Sequence, residues 1–145
     1  MAQTILAYDE MLPGTRQHHP AWTASFTRLA GQPARRPTLE RTLRLCRTAP
    51  NDYARGYLAS LVTLQIALGD TAPGMLNELE EVRAEFHFFL EFAERLDEAW
   101  LEHFEADDPD VRSIDELTAL ASGAPMAFLQ GYLTSKLHFR VGHLH

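Results

Sequence analysis

Large apolar residues recur every three or four positions through an otherwise acidic stretch of the chain. The members of this stripe are Leu79, Val82, Phe86, Phe89, Ala93, Leu96, Trp100 and Phe104. Because an α-helix repeats every 3.6 residues, this spacing places all of them on one helical face. The pattern predicts one long amphipathic helix over residues 75–105 that buries its apolar face against other helices.

Turn and capping residues divide the rest of the chain into further helices. Thr38 is a predicted N-cap, and Ser113 with Glu116 matches a capping box. No strand-like alternation of convincing length interrupts this pattern. The sequence therefore predicts an all-α fold, an up-and-down helical bundle with four main helices and short N-terminal helices. The other predicted helices cover residues 4–12, 20–30, 38–48, 52–68, 113–123 and 125–144.

The length of 145 residues and the hydrophobic content of 46% favour one helical-bundle domain over residues 1–145. The longest nearly apolar run, residues 57–68, is shorter than the roughly 20 residues of a membrane-spanning helix, so we interpret it as a buried core helix and expect no membrane partner. The single Cys46 excludes an internal disulfide, and the N-terminus lacks a secretory signal pattern. A cytoplasmic location is the expectation.

The formal net charge of −7 argues against nucleic acid as a partner, because phosphate binding depends on Lys and Arg. The charges are also segregated. Residues 28–55 hold seven arginines against two carboxylates, whereas residues 78–116 hold fifteen carboxylates against three arginines. This pattern indicates either a basic patch for an anionic partner or a basic helix lying beside the acidic one. We favour the second interpretation.

Seven histidines raise the hypothesis of a metal site. Two ligands on one helix converge when they are three or four positions apart, but His138 and His143 are five apart and diverge. His87 lies four positions before Glu91, and Ala84 stands where the Glu-x-x-His pattern of di-iron bundles needs a glutamate. No cofactor is predicted. A divalent metal held by His87, His138 and His143 from different helices is the alternative.

The last helix places Gly131, Ser135, His138 and Gly142 on one ridge. Small residues let helix axes approach closely, so this ridge predicts packing against a neighbouring helix or against a second subunit. A pocket beside His138 is the second interpretation. The aromatic residues Tyr132, Phe139, Phe86, Phe88 and Phe89 favour core or dimer surface over a ligand pocket. Should the bundle bind a small molecule, the candidate ligand-binding residues are His138, Tyr132, Phe139 and His87.

Cys46 lies among Arg41, Arg44 and Arg47, a setting that can activate a thiol. Cys46 also shares the apolar side of its helix with Leu43, which favours an inert core residue. The sequence shows no Ser-His-Asp arrangement, glycine-rich phosphate loop or CxxC motif. The catalytic residues of any enzymatic activity are therefore unknown.

The arrangement of a longer third helix, an acidic loop, a capped short helix and a final helix ending Arg140-Val141-Gly142-His143-Leu144 resembles the DinB-like four-helix-bundle superfamily. The last helix of that family often reads His-x-Gly-Gln-Leu. The resemblance implies a divalent metal held by three histidines and a metal-dependent transferase or hydrolase activity. In this chain Lys136 and Arg140 occupy the matching positions of the last helix.

Three functions follow from these observations. The preferred one is a non-catalytic binding or interaction module that self-associates as a homodimer, with a small-molecule ligand as a secondary possibility. The alternative is the DinB-like metal enzyme. The third is the ligand-sensing domain of a regulator.

Overall fold

A computed structural model describes the backbone of residues 21, 38–106 and 112–143, and the side chains within these ranges up to residue 140. This part of the chain is all helix, turn and loop, so the predicted all-α class is confirmed. The predicted helices at residues 4–12 and 20–30 lie outside the described residues. The described helices are α1 (Leu39–Arg47), α2 (Asp52–Ala67), a 3₁₀ helix (Pro73–Met75), α3 (Leu76–Leu96), α4 (Glu98–Ala106), α5 (Ile114–Gly123) and α6 (Ala127–His143).

Short polar side chains fix the starts of three helices. The side chains of Thr38, Asn51 and Ser113 accept hydrogen bonds from the backbone N–H groups three residues later. These bonds satisfy donors that the first helical turn leaves unpaired. Thr38 and Ser113 are the capping residues that the sequence predicts, although the Glu116 carboxylate lies 3.7 Å from the Arg112 guanidinium, an ion pair outside the capping-box pattern.

The prediction of one helix over residues 75–105 is wrong at Asp97. This residue has φ −157° and ψ 84°, and its carboxylate accepts a hydrogen bond of 3.0 Å from the backbone N–H of Trp100. Asp97 therefore acts as an N-cap and starts α4. The long acidic segment is divided into α3 and α4, which can point in different directions.

The centre of the bundle is the contact between α2 and α6, the most extensive contact between described helices. Gly56 on α2 faces the backbone carbonyl of Phe128, and Gly131 on α6 faces that of Tyr53. A methyl group at either glycine would overlap the facing oxygen. The ridge through Gly131 and Ser135 is thus used within the chain, where it receives α2. Around this contact the α6 residues Leu129, Leu133 and Leu137 are buried, as their spacing predicts.

Helix α3 lies on this core along one side only. Ala93 is its single buried residue, and Val82, Phe86, Phe89 and Leu90 are half-buried against the larger hydrophobic cluster. The prediction that Leu96 belongs to the buried stripe is wrong, because Leu96 is exposed. Beyond the Asp97 break, Trp100 and Phe104 are buried, and the Trp100 indole donates a 3.0 Å hydrogen bond to the carbonyl of Leu120.

Ion pairs join the basic and acidic segments. Arg47 lies 3.6 Å from both Glu78 and Glu81, and Arg55 lies 3.5 Å from Glu85. The structure therefore places α1 and the start of α2 beside α3, as the favoured interpretation of the charge segregation expects. None of the described helices has the length and apolar character needed to cross a membrane.

Candidate ligand groove

An apolar groove of about 630 Å³ lies between α2 and α3. The segment from Asp70 to Pro73, which links the two helices, lines it as well, and Leu39 of α1 and Tyr132 of α6 contribute to its wall. Its volume falls within the range of roughly 300–1,000 Å³ that is usual for small-molecule sites. The groove is therefore the candidate functional site of the described structure.

The walls of the groove differ in how firmly they are held. Leu39, Ala59 and Val62 are buried and belong to the packed interior of the bundle. At the opening, Ile66 on α2 is 43% exposed and Leu76 on α3 is 64% exposed. Two large aliphatic side chains in water flank a packed apolar floor, so a molecule that covered them would remove apolar surface from solvent.

The end of α2 holds the polar side of the groove. Gly69 has φ 97°, its N–H donates to the carbonyl of Ile66, and the Asp70 N–H donates to that of Gln65 at 2.9 Å. These two bonds form a Schellman motif, which needs a left-handed residue and so favours glycine. The Gln65 amide then donates to the Asp70 carboxylate at 3.1 Å and accepts from the Thr42 hydroxyl at 2.6 Å. Asp70 is thus fixed by backbone and side-chain bonds together.

Two of the four candidate ligand-binding residues line this groove, namely His87 and Tyr132. His87 is exposed on α3, where Glu80 and Arg83 give the same wall a mixed charge. Tyr132 is buried and packs its ring on Phe86 with centroids 4.6 Å apart. The groove therefore has an aromatic floor near an exposed histidine.

His138 and Phe139 lie elsewhere. The His138 Nδ1 atom is 2.9 Å from the Tyr57 hydroxyl, which ties α6 to α2 inside the bundle. The two rings meet edge to face with centroids 5.5 Å apart. Phe139 is half-buried on α6 and does not line the groove. The small-residue ridge of α6 receives α2 at Gly131, and the pocket beside His138 stays a prediction.

The predicted metal ligands lie on two helices, His87 on α3 and His138 and His143 on α6. Residues 38–106 and 112–140 contain no group of three His, Cys, Asp or Glu side chains placed to hold one ion. His87 lies on α3 and His138 contacts Tyr57, while the side chain of His143 is outside the described residues. Metal analysis of the purified chain and of His138→Ala tests the metal hypothesis directly.

Cys46 is buried, and its thiol lies 3.6 Å from the carbonyl of Arg55. Burial raises the pKa of Cys46 to about 12, and the negative charge of Glu85 adds to this effect while Arg55 opposes it. Because the thiolate is the reactive form, this thiol is inert at neutral pH. The structure supports the interpretation of Cys46 as a core residue.

Several groove residues were missed from sequence. Ile66 belongs to the apolar run that predicts a buried helix, and Leu79 belongs to the stripe that predicts burial of α3, whereas Leu76 precedes that stripe. The run at residues 57–68 is in fact buried only in its first part, since Ile66 and Leu68 are exposed. The sequence signal for the groove is the Gly69-Asp70 turn, because it ends α2 between two apolar stretches that cannot both be buried in one helix.

Comparison of the chain with family models, with curated proteins and with solved structures found no match. The resemblance to the DinB-like superfamily stays a prediction.

Proposed function

We propose that this protein is a non-catalytic binding module that takes a small, mainly apolar molecule in the groove between α2 and α3. The proposal rests on the groove, which has a packed apolar floor and two exposed aliphatic side chains at its opening, Ile66 and Leu76. In this proposal α1, α2, α3 and α6 are the four main helices of an up-and-down bundle, and the groove lies between the second and third of them.

The lining residues define the chemistry of the ligand. Aliphatic and aromatic side chains form the floor, so most of the binding free energy comes from apolar surface removed from water. Polar groups stand at the rim, where Asp70, Arg83 and His87 can orient one polar end of the ligand. A compact molecule with an apolar body and a single polar end fits this distribution better than a polyanion does.

A neutral fluorescent naphthylamine probe tests the groove. The probe carries no charge, so it reports apolar binding without interference from the arginines. We expect saturable binding to the wild-type chain in the micromolar range. Ile66→Glu and Leu76→Glu each place a carboxylate at the opening of the groove. Each should weaken binding at least tenfold, because the carboxylate loses hydration when the ligand covers it.

Leu68→Glu is the matched control. Leu68 is 49% exposed at the same end of α2 but does not line the groove, so its replacement should leave the affinity unchanged. Circular dichroism of each variant checks that the helices are intact. Absence of saturable binding at 100 µM wild-type protein, or an equal loss with Leu68→Glu, contradicts the proposal.

A further inference from the structure

The charges that line the ligand groove are unevenly distributed along it. The described lining residues include two carboxylates, Asp70 and Glu80, against one guanidinium, Arg83, so the groove has one negative charge in excess. Asp70 lies where α2 passes into the segment that leads to α3, whereas Arg83 lies seven residues beyond Leu76, about 10 Å along α3. The end of the groove at Asp70 is therefore negative.

Asp70 is half-buried and is held in place by the core of the bundle. The buried Gln65 side chain donates from its amide to the Asp70 carboxylate, and the Thr42 hydroxyl donates to the oxygen of the same amide. A continuous series of hydrogen bonds thus reaches from α1 through α2 to the carboxylate. A group that is already fixed loses little conformational entropy when a ligand binds to it.

The charged residues on the opposite wall are less constrained. Glu80, Arg83 and His87 are all exposed on α3. Arg83 follows Glu80 by three positions, a spacing at which opposite charges on one helix attract each other. Binding a ligand through the exposed Arg83 would also cost side-chain entropy that the fixed Asp70 has already lost. The charge of the ligand's polar end is therefore set by Asp70.

The end of α2 beside Asp70 adds to the negative potential. The C-terminal end of an α-helix carries a partial negative charge and is stabilised by cations. The last turn of α2 holds no basic residue, and Asp70 places a carboxylate two positions after the C-cap residue Leu68. A cation bound at this point would interact favourably with the helix end and with the carboxylate.

We propose that the ligand of the groove is an apolar amine whose protonated ammonium group is bound by the Asp70 carboxylate. This inference rests on the proposed function and specifies the charge of the ligand's polar end. An ammonium group is a compact cation that only donates hydrogen bonds, and its bonds to a carboxylate are stronger than those between neutral groups. The apolar body contacts the aliphatic side chains of both walls, including Val62, Ile66 and Leu79.

Displacement of the naphthylamine probe by three octyl compounds tests the charge of the polar end. At pH 7 octylamine is cationic, octanol is neutral and octanoate is anionic, as the titration of Lys and Glu side chains near about 10.4 and about 4.3 indicates. The three compounds share one apolar chain, so differences in affinity report the polar end. We expect octylamine to bind about tenfold more tightly than octanol, and octanoate to bind more weakly than octanol.

Asp70→Asn removes the charge and keeps the size of the side chain. This variant should reduce the preference for octylamine over octanol to about twofold or less and leave the affinity for the probe unchanged. Asp115→Asn is the matched control, because Asp115 is exposed on α5 and its replacement makes the same change in net charge outside the groove. A full preference in Asp70→Asn, or an equal loss in both variants, overturns the proposal.

Arg83→Gln changes the affinity in the opposite direction. Removal of the competing positive charge should strengthen octylamine binding by about twofold, while octanol binding stays the same. A gain in affinity cannot result from unfolding, so this variant tests the proposal even if Asp70→Asn is destabilised. Weaker octylamine binding by Arg83→Gln contradicts the proposal.

The neutral probe separates failure of this inference from failure of the proposed function. Saturable probe binding by a chain that binds octylamine no more tightly than octanol overturns the ammonium ligand and leaves the apolar binding site intact. Octanoate that binds more tightly than octylamine assigns the polar end to Arg83 and His87 and likewise overturns the inference. If neither the probe nor octylamine binds, the proposed function and this inference are both wrong.

Discussion

The contact of α6 with α2 and the contact of α3 with the bundle are built in opposite ways. The first joins helices backbone to backbone at Gly56 and Gly131 and is surrounded by fully buried leucines. The second rests on half-buried side chains and on partly exposed ion pairs, and it leaves one phenylalanine face in water. Stability should therefore reside mainly in the α2–α6 pair, while the candidate ligand groove has α3 as one wall.

The largest expected effect is that of Gly131→Ala. The new methyl group would overlap the carbonyl oxygen of Tyr53, and because both sides of the contact are backbone, the helices must move apart. We expect a loss of about 3 kcal/mol or more in the free energy of unfolding, measured by urea denaturation. Gly74→Ala is the control, since nothing lies within 4 Å of its added Cβ. Equal stability of both variants would remove the distinction between the two regions.

Leucine truncation compares the two regions with the same chemistry. Leu133 on α6 is fully buried, whereas Leu90 on α3 is half-buried. Leu133→Ala should cost about 2–5 kcal/mol because it leaves a cavity in a packed interior. Leu90→Ala should cost about 1 kcal/mol, since its site is partly in water already. Denaturation midpoints at low protein concentration give both values, and a larger loss at Leu90 would show that α3 is held more firmly than its burial indicates.

Removal of the hydrogen bond between Thr42 and Gln65 tests how firmly the end of α2 is held beside the groove. Both residues are buried, and Thr42→Val removes the hydroxyl that donates to the Gln65 amide oxygen. We expect a loss of about 1–2 kcal/mol, because the oxygen is left without this donor. Thr63→Val should change stability by less than about 0.5 kcal/mol, since Thr63 is exposed and its hydroxyl bonds only to the carbonyl of Ala59.

The smallest effect concerns the pH dependence of the α3 contact. Burial raises the pKa of Glu85 above its ordinary value, Arg55 opposes this shift, and Asp52 and Glu81 add to it. The folded chain therefore binds a proton at a pH where the unfolded chain has lost it, so ionisation of Glu85 destabilises the fold as pH rises.

Glu85→Gln removes this titration. Relative to the variant, the wild type should gain stability as pH falls from 7 through the raised pKa, and the gain should level off below the ordinary value of 4.5. The change should stay below about 1 kcal/mol, because the side chain is partly exposed. Unfolding curves of both proteins from pH 4 to 7 provide the measurement. The opposite slope would mean that the Arg55 pair outweighs burial.

Local signals explain what was predictable from the sequence. The caps at Thr38 and Ser113 act on backbone groups within the same turn, so their residue types suffice to mark the starts of α1 and α5. The spacing of Leu129, Leu133 and Leu137 matches one helical face, which is sufficient to indicate their burial. Gly131 indicated a close approach of helices, yet the sequence did not identify Gly56 and Tyr53 as belonging to the facing helix.

The features that escaped prediction depend on tertiary placement. Asp97 resembles any solvent-facing acid of a charged helix, and only the turn toward α4 makes it a cap. Ile66 and Leu76 are large aliphatic residues of the kind found in cores, but Ile66 at the end of α2 and Leu76 at the start of α3 both stay exposed at the groove. The groove is a gap between elements, and periodicity within one element does not reveal such a gap.

The Schellman motif at Gly69 has a consequence for the range of molecules that the groove can accept. The motif and the Gln65 side chain hold Asp70 by hydrogen bonds at the end of α2. Because α2 packs extensively against α6, this side of the groove has a fixed shape. The opposite side belongs to α3, whose lighter attachment allows it to shift outward. Under the proposed function, a groove with one fixed wall and one more weakly held wall would accept ligands of different width and place their polar ends at the same position.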